Sequence, residues 1–147
     1  MYLNSFLDLH THTRYPGNNF FKQSDIEYAA KNGGYGEILA MPNSSKIIDN
    51  LDVLEEARQI DKDLSISVHR TASLTKGLMG KDPVDYKKFT DNGVFIFTDD
   101  GLSVVDDNLA ETIFRSINEV GQQYFNIVKK VVIRCQVILL LLMIILI

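Results

Sequence analysis

Short apolar runs alternate along this chain with segments in which apolar residues recur at helical spacing. The short runs are typical of strands, and the periodic segments are typical of amphipathic helices. Repeated strand–helix units with nearly continuous apolar strands predict an α/β fold built on a parallel sheet. The predicted strands are residues 6–12, 37–41, 64–68 and 94–98, and the predicted helices are residues 24–32, 51–61, 82–92 and 106–124.

Capping and breaking residues place the ends of these helices. Ser24 and Glu27 have the spacing of a capping box, which predicts the start of the first helix, and Gly33 with Gly34 predicts its end. Pro83 is expected in the first turn of the third helix, where a backbone N–H has no helical partner.

Polar side chains stand at the ends of several predicted strands. In parallel α/β sheets the carboxyl ends of the strands usually form the functional site. Because those ends meet at one edge of the sheet, we expect the polar residues there to lie close together. They are His10, His12, Asn43, Asp99 and Asp100.

His10 and His12 are the strongest candidates for metal binding. Residues two apart on a strand point to the same face, and two imidazoles on one face can hold one zinc ion at about 2.0–2.1 Å. The alternative is that one histidine lies in the core and the other faces solvent. The Asp99-Asp100-Gly101 segment offers a carboxylate to the same site, although these three residues also suit an ordinary turn.

The other polar side chains near the predicted strand ends belong to Arg14, Asn43 and His69. Arg14 would emerge beside the histidines if the strand persisted, and its guanidinium suits a carboxylate or phosphate. The alternative is a solvated surface arginine. Asn43 stands on a turn with donor and acceptor groups available, whereas His69 is interpreted as structural or exposed.

Composition narrows the class of protein. The chain has 147 residues, enough for one domain or for a piece of a larger one. Its net charge of −4, without a basic stripe, excludes nucleic acid as an expected partner. The single cysteine, Cys135, excludes an internal disulfide. Because no secretory signal is evident at the N-terminus, we expect a cytoplasmic location.

Residues 131–147 form an almost wholly apolar segment whose only charge is Arg134. Three interpretations remain open for it. Residues 131–135 could be a buried strand followed by an aberrant, out-of-frame tail. The segment could instead be a short membrane anchor, although a spanning helix needs about 20 apolar residues. It could also be a core helix of a partner-dependent fold. We therefore divide the chain into a domain at residues 1–130 and a tail at 131–147.

Four motifs, taken together, resemble a known family. Residues 8–17 (DLHTHTRYPG) are similar to the opening motif of the dihydroorotases in the amidohydrolase superfamily. Residues 41–43 (MPN), 75–80 (TKGLMG) and 97–101 (FTDDG) resemble later motifs of the bacterial class I enzymes, in the same order. The resemblance covers residues 6–107, and the set is far more specific than any one motif.

The resemblance implies a metal-dependent (β/α)₈ TIM-type barrel that interconverts dihydroorotate and N-carbamoyl-aspartate in pyrimidine biosynthesis. Such a barrel needs about 250 residues, so this chain is expected to supply a partial barrel of four to five βα units. An open half barrel leaves an edge strand and an apolar face uncovered.

The resemblance also assigns roles to individual residues. His10 and His12 would bind the more buried of two zinc ions, and Asp100 would bridge both ions. Arg14 and Asn43 would hold the carboxylate of the small-molecule substrate. Water activated by the bound metal would hydrolyse the ring amide.

The family's remaining metal-binding histidines and its catalytic aspartate lie on later strands, so no catalytic residue is assigned here. Arg134 stands where the next histidine is expected. One or both ions could therefore be lost. We expect the isolated chain to be incomplete or inactive, unless a homo-oligomer or a complementing chain supplies the rest.

The sequence leaves two alternative functions open. The first motif also resembles the opening of the PHP phosphoesterases, which use several histidines in a metal cluster. The motifs at residues 41–43, 75–80 and 97–101 have no role in those enzymes, which favours the dihydroorotases. The second alternative is a non-catalytic remnant that acts by binding a partner. Membrane contact through residues 131–147 is expected only if that segment is an anchor.

Overall fold

The computed structural model describes residues 5–18, 22–121 and 123–124. Strands and helices alternate through these residues, which confirms the predicted α/β class. In chain order the elements are β1 (Phe6–Thr11), α1 (Gln23–Asn32), β2 (Tyr35–Ala40), α2 (Leu51–Asp61), β3 (Ser67–Arg70), a 3₁₀ turn (Lys76–Leu78), α3 (Tyr86–Asp91), β4 (Ile96–Phe97), α4 (Asp107–Glu119) and β5 (Gln123–Tyr124).

The strands are parallel, as predicted. β1, β2 and β3 form one sheet in that order, and β4 pairs with β5 in a second. Backbone hydrogen bonds join the two, because the Ala72 N–H donates to Ile96 O at 3.2 Å and the Thr98 N–H donates to Ala72 O at 2.9 Å. The carboxyl ends of β1, β2 and β4 therefore meet at one edge.

The carboxyl half of β2, from Ile38 to Ala40, is buried on both faces, and its sequence is accordingly apolar. Ile38 packs with Ala30 of α1, whereas its neighbour Leu39 packs with Met41 and Ile96 on the opposite side. Successive side chains of a strand point to opposite faces. Packing on both sides of the strand therefore holds its carboxyl end in place, and with it the turn that carries Asn43.

Aromatic packing fixes β4 beneath the turn that carries Asp100. Phe97 of β4 is fully buried and contacts Tyr86 and Phe89 of α3, with ring centroids 5.1 and 6.1 Å apart and edge-to-face geometry. Such pairs stabilise a core beyond their buried area. The same core also contains Ile48, Leu54, Ala57, Leu74, Val94, Ile113 and Ile117.

The predicted capping box at the first helix is wrong. α1 starts at Gln23, and the Lys22 N–H donates to the Asp25 carboxylate at 3.0 Å. Glu27 is used elsewhere, since it accepts a 2.9 Å hydrogen bond from the Ser65 N–H just before β3. The helix does end at Gly33, as predicted.

The third helix begins later than predicted. α3 starts at Tyr86, where the Asp85 side chain accepts from the Lys88 N–H at 3.0 Å. Pro83 lies before the helix and forms an antiparallel bridge with Thr75. A cap with a carboxylate acceptor competes successfully with the proline signal here.

The fourth helix ends before its predicted boundary. α4 closes at Glu119, and Gly121 adopts φ +70°. The next described residues, Gln123 and Tyr124, pair with β4 instead of continuing the helix. Only glycine adopts positive φ without steric penalty, so Gly121 was the available signal for this ending.

Besides β2, which begins at Tyr35 rather than at residue 37, two strands shift from their predicted positions. β3 starts at Ser67 rather than residue 64, because Leu64 and Ile66 pack against the α1 cluster before pairing begins. β4 is limited to Ile96–Phe97, although Val94 is buried as the apolar run implied.

Within the described ranges, no helix is both long enough and apolar enough to cross a membrane. The interpretations of residues 131–147, including Arg134 and Cys135, fall outside the described residues. They stay predictions, as do the boundary after residue 130 and the cytoplasmic location.

Candidate metal-binding site

Three of the predicted ligands come together at the carboxyl edge of the strands. His10 and His12 lie at the end of β1, and Asp100 follows β4; one ligand atom from each lies within 4.8 Å of the others. The His10 Nε2 atom is 3.2 Å from His12 Nε2 and 3.1 Å from Asp100 Oδ1. His12 Nε2 is 3.9 Å from the same oxygen.

These separations fit one divalent metal ion. Ligand atoms at about 2.0–2.1 Å from a tetrahedral zinc ion lie roughly 3.3–3.4 Å from one another. The distances of 3.1–3.9 Å between the three atoms bracket that value. Two imidazole nitrogens and a carboxylate oxygen are also a common donor set of catalytic zinc sites. Both the spacing of the three atoms and their donor types therefore suit a zinc ion.

A β-bulge lies at the histidine pair. Asp8 is opposite Ile38 and Thr11 is opposite Ala40, so three steps along β1 match two along β2. The Asp8 carboxylate accepts from the His10 N–H at 2.9 Å. Bulges redirect side chains near functional sites. Asp8 therefore supports the backbone that presents the first histidine.

Asn43 joins two of the candidate ligands. Its Oδ1 atom is 2.9 Å from His12 Nδ1, and its Nδ2 donates to Asp100 Oδ2 at 2.6 Å. The sequence placed Asn43 at this edge, but its contacts with the ligands themselves could not be read from the sequence. Asn43 therefore belongs, with His10, His12 and Asp100, to one hydrogen-bonded cluster.

The adjacent carboxylates of Asp99 and Asp100 face different surroundings. Asp99 is buried and accepts from the Leu74 N–H at 2.7 Å, the Thr75 N–H at 3.0 Å and the Thr75 hydroxyl. Burial raises the pKa of the Asp99 carboxyl, and the hydrogen bonds from Thr75 and Leu74 oppose that rise. Asp100 adopts φ +54°, and its N–H donates to Thr98 Oγ1 at 2.9 Å.

Arg14 lies beyond the regular strand. β1 ends at Thr11, and Arg14 adopts φ +63°, so the strand does not persist to Arg14, and the condition for a face shared with the histidines is not met. Its exposed guanidinium forms no salt bridge with any carboxylate of the described residues.

A buried ion pair that the sequence did not reveal holds the loop around Arg14. The Arg70 guanidinium is fully buried and contacts both Asp61 oxygens, with Nε–Oδ2 at 2.8 Å and Nη2–Oδ1 at 2.6 Å. It also donates to Thr13 Oγ1 at 3.0 Å, and the Tyr15 hydroxyl donates to Asp61 at 2.9 Å. Burial and the Asp61 charge raise the pKa of that hydroxyl.

His69 lies outside the cluster, in line with its interpretation as structural or exposed. Its Nε2 atom is 2.8 Å from Glu37 Oε2, and both side chains are partly exposed. Within the described part of the chain, the potential metal ligands that group together are His10, His12 and Asp100.

Comparison with known proteins identifies the family of this chain. The family model described as "Dihydro-orotase-like" matches residues 1–124. The chain belongs to this family. The dihydro-orotase-like chain is 40% identical over 106 residues to a dihydroorotase of Clostridioides difficile strain 630, covering 70% of this chain and 25% of that protein.

Other dihydroorotases match at similar levels. The protein from Aquifex aeolicus strain VF5 is 32% identical over 120 residues, covering 79% of this chain and 28% of its own length. The dihydro-orotase-like chain thus spans about a quarter of the length of these relatives. The family resemblance of the motifs is confirmed, and the comparisons do not favour the phosphoesterase alternative.

Proposed function

We propose that the described residues form the metal-binding part of a dihydroorotase-type cyclic amidohydrolase. Its substrates would be dihydroorotate and N-carbamoyl-aspartate, interconverted in pyrimidine biosynthesis. The observation that carries the proposal is the convergence of His10, His12 and Asp100 at the carboxyl edge of parallel strands in a chain of this family. In parallel α/β folds that edge is where active sites form.

The architecture supports a partial (β/α)₈ TIM-type barrel. The described strands are all parallel and follow one another in chain order, with helices in the connections. Sequential parallel strands with intervening helices are the repeating unit of such a barrel. We propose that this partial barrel has four to five βα units, the number expected from the sequence.

Zinc is the proposed metal. His10 Nε2, His12 Nε2 and Asp100 Oδ1 would hold it, and the fourth position would be open to water or substrate. A bound divalent ion lowers the pKa of water and polarises a carbonyl oxygen. A second ion, which Asp100 would bridge, would need further ligands from outside the described residues.

Arg14 and Asn43 are proposed to bind the substrate carboxylate. The Arg14 guanidinium is exposed, and its planar fork matches a carboxylate in bidentate geometry. The buried pair of Arg70 and Asp61 supports this role, because it fixes the loop from Thr13 to Tyr15 on both sides of Arg14. Asn43 keeps a second Nδ2 hydrogen for the substrate.

The cluster leaves part of the chemistry unassigned. Its members are proposed metal ligands and binding groups, and none of them is assigned as a proton donor to the leaving nitrogen. We therefore propose that the 147-residue chain binds zinc but does not turn over dihydroorotate by itself. A second copy or a complementing chain would supply the remaining groups. Apolar surface on β1, where Phe6, Leu7 and Leu9 are exposed, supports such a partner.

Zinc affinity tests the ligand set directly. The wild-type chain should bind one zinc ion in competition with a chromophoric chelator. His10→Ala, His12→Ala and Asp100→Ala should each weaken binding by more than the roughly 10–100-fold that loss of a supporting partner causes. His69→Ala is the matched control and should bind as the wild type does.

Turnover is measured on the same preparations by following dihydroorotate loss. We expect no hydrolysis of dihydroorotate by the wild-type chain alone, with or without added zinc. A wild type that binds no zinc, or a His69→Ala variant as impaired as His12→Ala, would overturn the site. Robust hydrolysis by the isolated chain would overturn the proposal that the chain needs a partner for turnover.

A further inference from the structure

Hydrogen-bond polarity determines how Asn43 connects the two ligands beside it. An ionised carboxylate only accepts, so the Asn43 atom at 2.6 Å from Asp100 Oδ2 must be the donor Nδ2. The atom facing His12 Nδ1 at 2.9 Å is then the acceptor Oδ1. An acceptor there requires a proton on His12 Nδ1. In a neutral imidazole this leaves the lone pair on Nε2, the atom that faces His10 and Asp100.

We propose that Asn43 is a positioning residue for the metal site: it fixes the Nδ1–H tautomer of His12 and simultaneously holds Asp100 in place. The inference rests on the proposed metal site and adds a role that differs from contact with the substrate. A histidine ligand needs its other nitrogen hydrogen-bonded to set the tautomer and the ring orientation. Here one amide does this for one ligand while orienting a second.

The backbone of Asn43 is held in place for this task. Two residues earlier, the Met41 N–H donates to Thr11 O at 2.9 Å, and Thr11 lies between the two histidines. Pro42 accepts from the Ile48 N–H at 3.1 Å, and Ser44 is buried. The amide is therefore carried by a turn attached directly to the end of β1.

An amide is the side chain of this size that suits both neighbours. An aspartate at position 43 would still accept from His12 Nδ1–H, but it would place a second carboxylate beside Asp100. Like charges at hydrogen-bond distance repel strongly. A leucine has nearly the same shape but offers neither bond. The two substitutions therefore separate the tautomer effect from the effect on Asp100.

The experiment reads tautomer and affinity separately, without substrate. Metal-free chain labelled with ¹⁵N-histidine is examined by long-range ¹H–¹⁵N correlation, and zinc affinity is measured by chelator competition. Wild type should show His12 protonated on Nδ1. Asn43→Leu should show a mixed tautomer and about 10–100-fold weaker zinc binding. Asn43→Asp should retain the tautomer, whereas its zinc affinity should differ from that of the wild type.

Asn118→Leu is the matched control, because Asn118 is exposed on α4. It should leave both readouts unchanged, and circular dichroism checks that every variant is folded. If Asn43→Leu does not fold, Asn43→Ser replaces it as the variant that shortens the side chain and breaks both contacts. Wild-type tautomer and wild-type affinity in the folded variant would overturn the positioning role. Absence of zinc binding by the wild type would instead overturn the proposed function.

Discussion

At the level of single residues, Asp99 and Asp100 are chemically identical neighbours with different surroundings. The Asp99 carboxylate is surrounded by Thr75 and Leu74, and the Thr75 hydroxyl that donates to it also accepts from the Gly80 N–H at 2.8 Å. The Asp100 carboxylate faces His10, and its positive φ turns it away from its neighbour. The first carboxylate anchors a loop, and the second belongs to the candidate site.

Paired substitutions should separate these two roles. Asp99→Ala leaves buried N–H donors of Leu74 and Thr75 without an acceptor, so it should lower the free energy of unfolding by about 3 kcal/mol. Asp100→Ala should lower that energy by less, roughly 1 kcal/mol, because it loses the hydrogen bond to Asn43, and it should abolish tight zinc binding. Urea denaturation and chelator competition measure the two quantities. Equal loss of stability in both variants would contradict the assignment.

The sequence predicted some of these residues and not others for a physical reason. Strand periodicity placed His10 and His12 on one face because that rule is local. Asp99 and Asp100 both follow the same strand, so only their three-dimensional neighbours distinguish them. Arg70 and Thr13 meet across 57 positions, and no spacing rule reports such a contact.

At the level of elements, Glu27 connects α1 to the segment before β3. It pairs with Lys31 one turn later at 2.8 Å and accepts from both the N–H and the hydroxyl of Ser65. The hydrogen bonds from Lys31 and Ser65 lower the pKa of the Glu27 carboxyl from 4.5 to about 2. The ionised carboxylate is therefore the form that joins the two elements.

The lowered pKa predicts a specific pH dependence of stability. A depressed acid pKa gives a stabilisation that is fully present above the unfolded value of 4.5 and lost as pH falls through about 2. Glu27→Gln should therefore lose less stability than wild type between those values. Ser65→Ala, which removes one donor, should fall between them. Urea denaturation at several pH values measures this, and parallel profiles for wild type and Glu27→Gln would refute it.

Element types were easier to predict than element ends. Apolar periodicity fixed the order of strands and helices, but the starts of α1 and α3 depend on which carboxylate accepts the free N–H groups. At both helices the acceptor used, Asp25 or Asp85, differs from the signal that the sequence favoured. Several neighbouring carboxylates compete for the same role, and tertiary contacts decide between them.

At the level of the whole molecule, the described sheet ends at β1. Phe6 is 68% exposed and Leu9 is 48% exposed along this strand. An uncovered edge strand offers unpaired backbone groups as well as apolar side chains to another chain. The parallel strand order was predictable from the alternating pattern. What packs against the β1 edge was not predictable, because no local pattern in the sequence reports the partner of an edge strand.

Association of this chain with another chain through the β1 edge should weaken when a charge is placed on that edge. Phe6→Lys places a charge on the edge strand, which disfavours pairing with another chain. The variant should shift the sedimentation profile toward monomer at the same protein concentration. Tyr28→Lys is the matched control, since Tyr28 is 73% exposed on α1 and away from the edge. An identical shift in both variants would point to general solubility instead.

The bulge between Asp8 and Thr11 has a consequence for how this strand can change over time. A ladder with perfect pairing would be the more stable strand, but it would not present the histidines in the same way. Loss of one residue here would repair the register and discard the binding geometry. On the proposed function, a deletion that makes the pairing of this strand regular should therefore weaken zinc binding while the fold is retained.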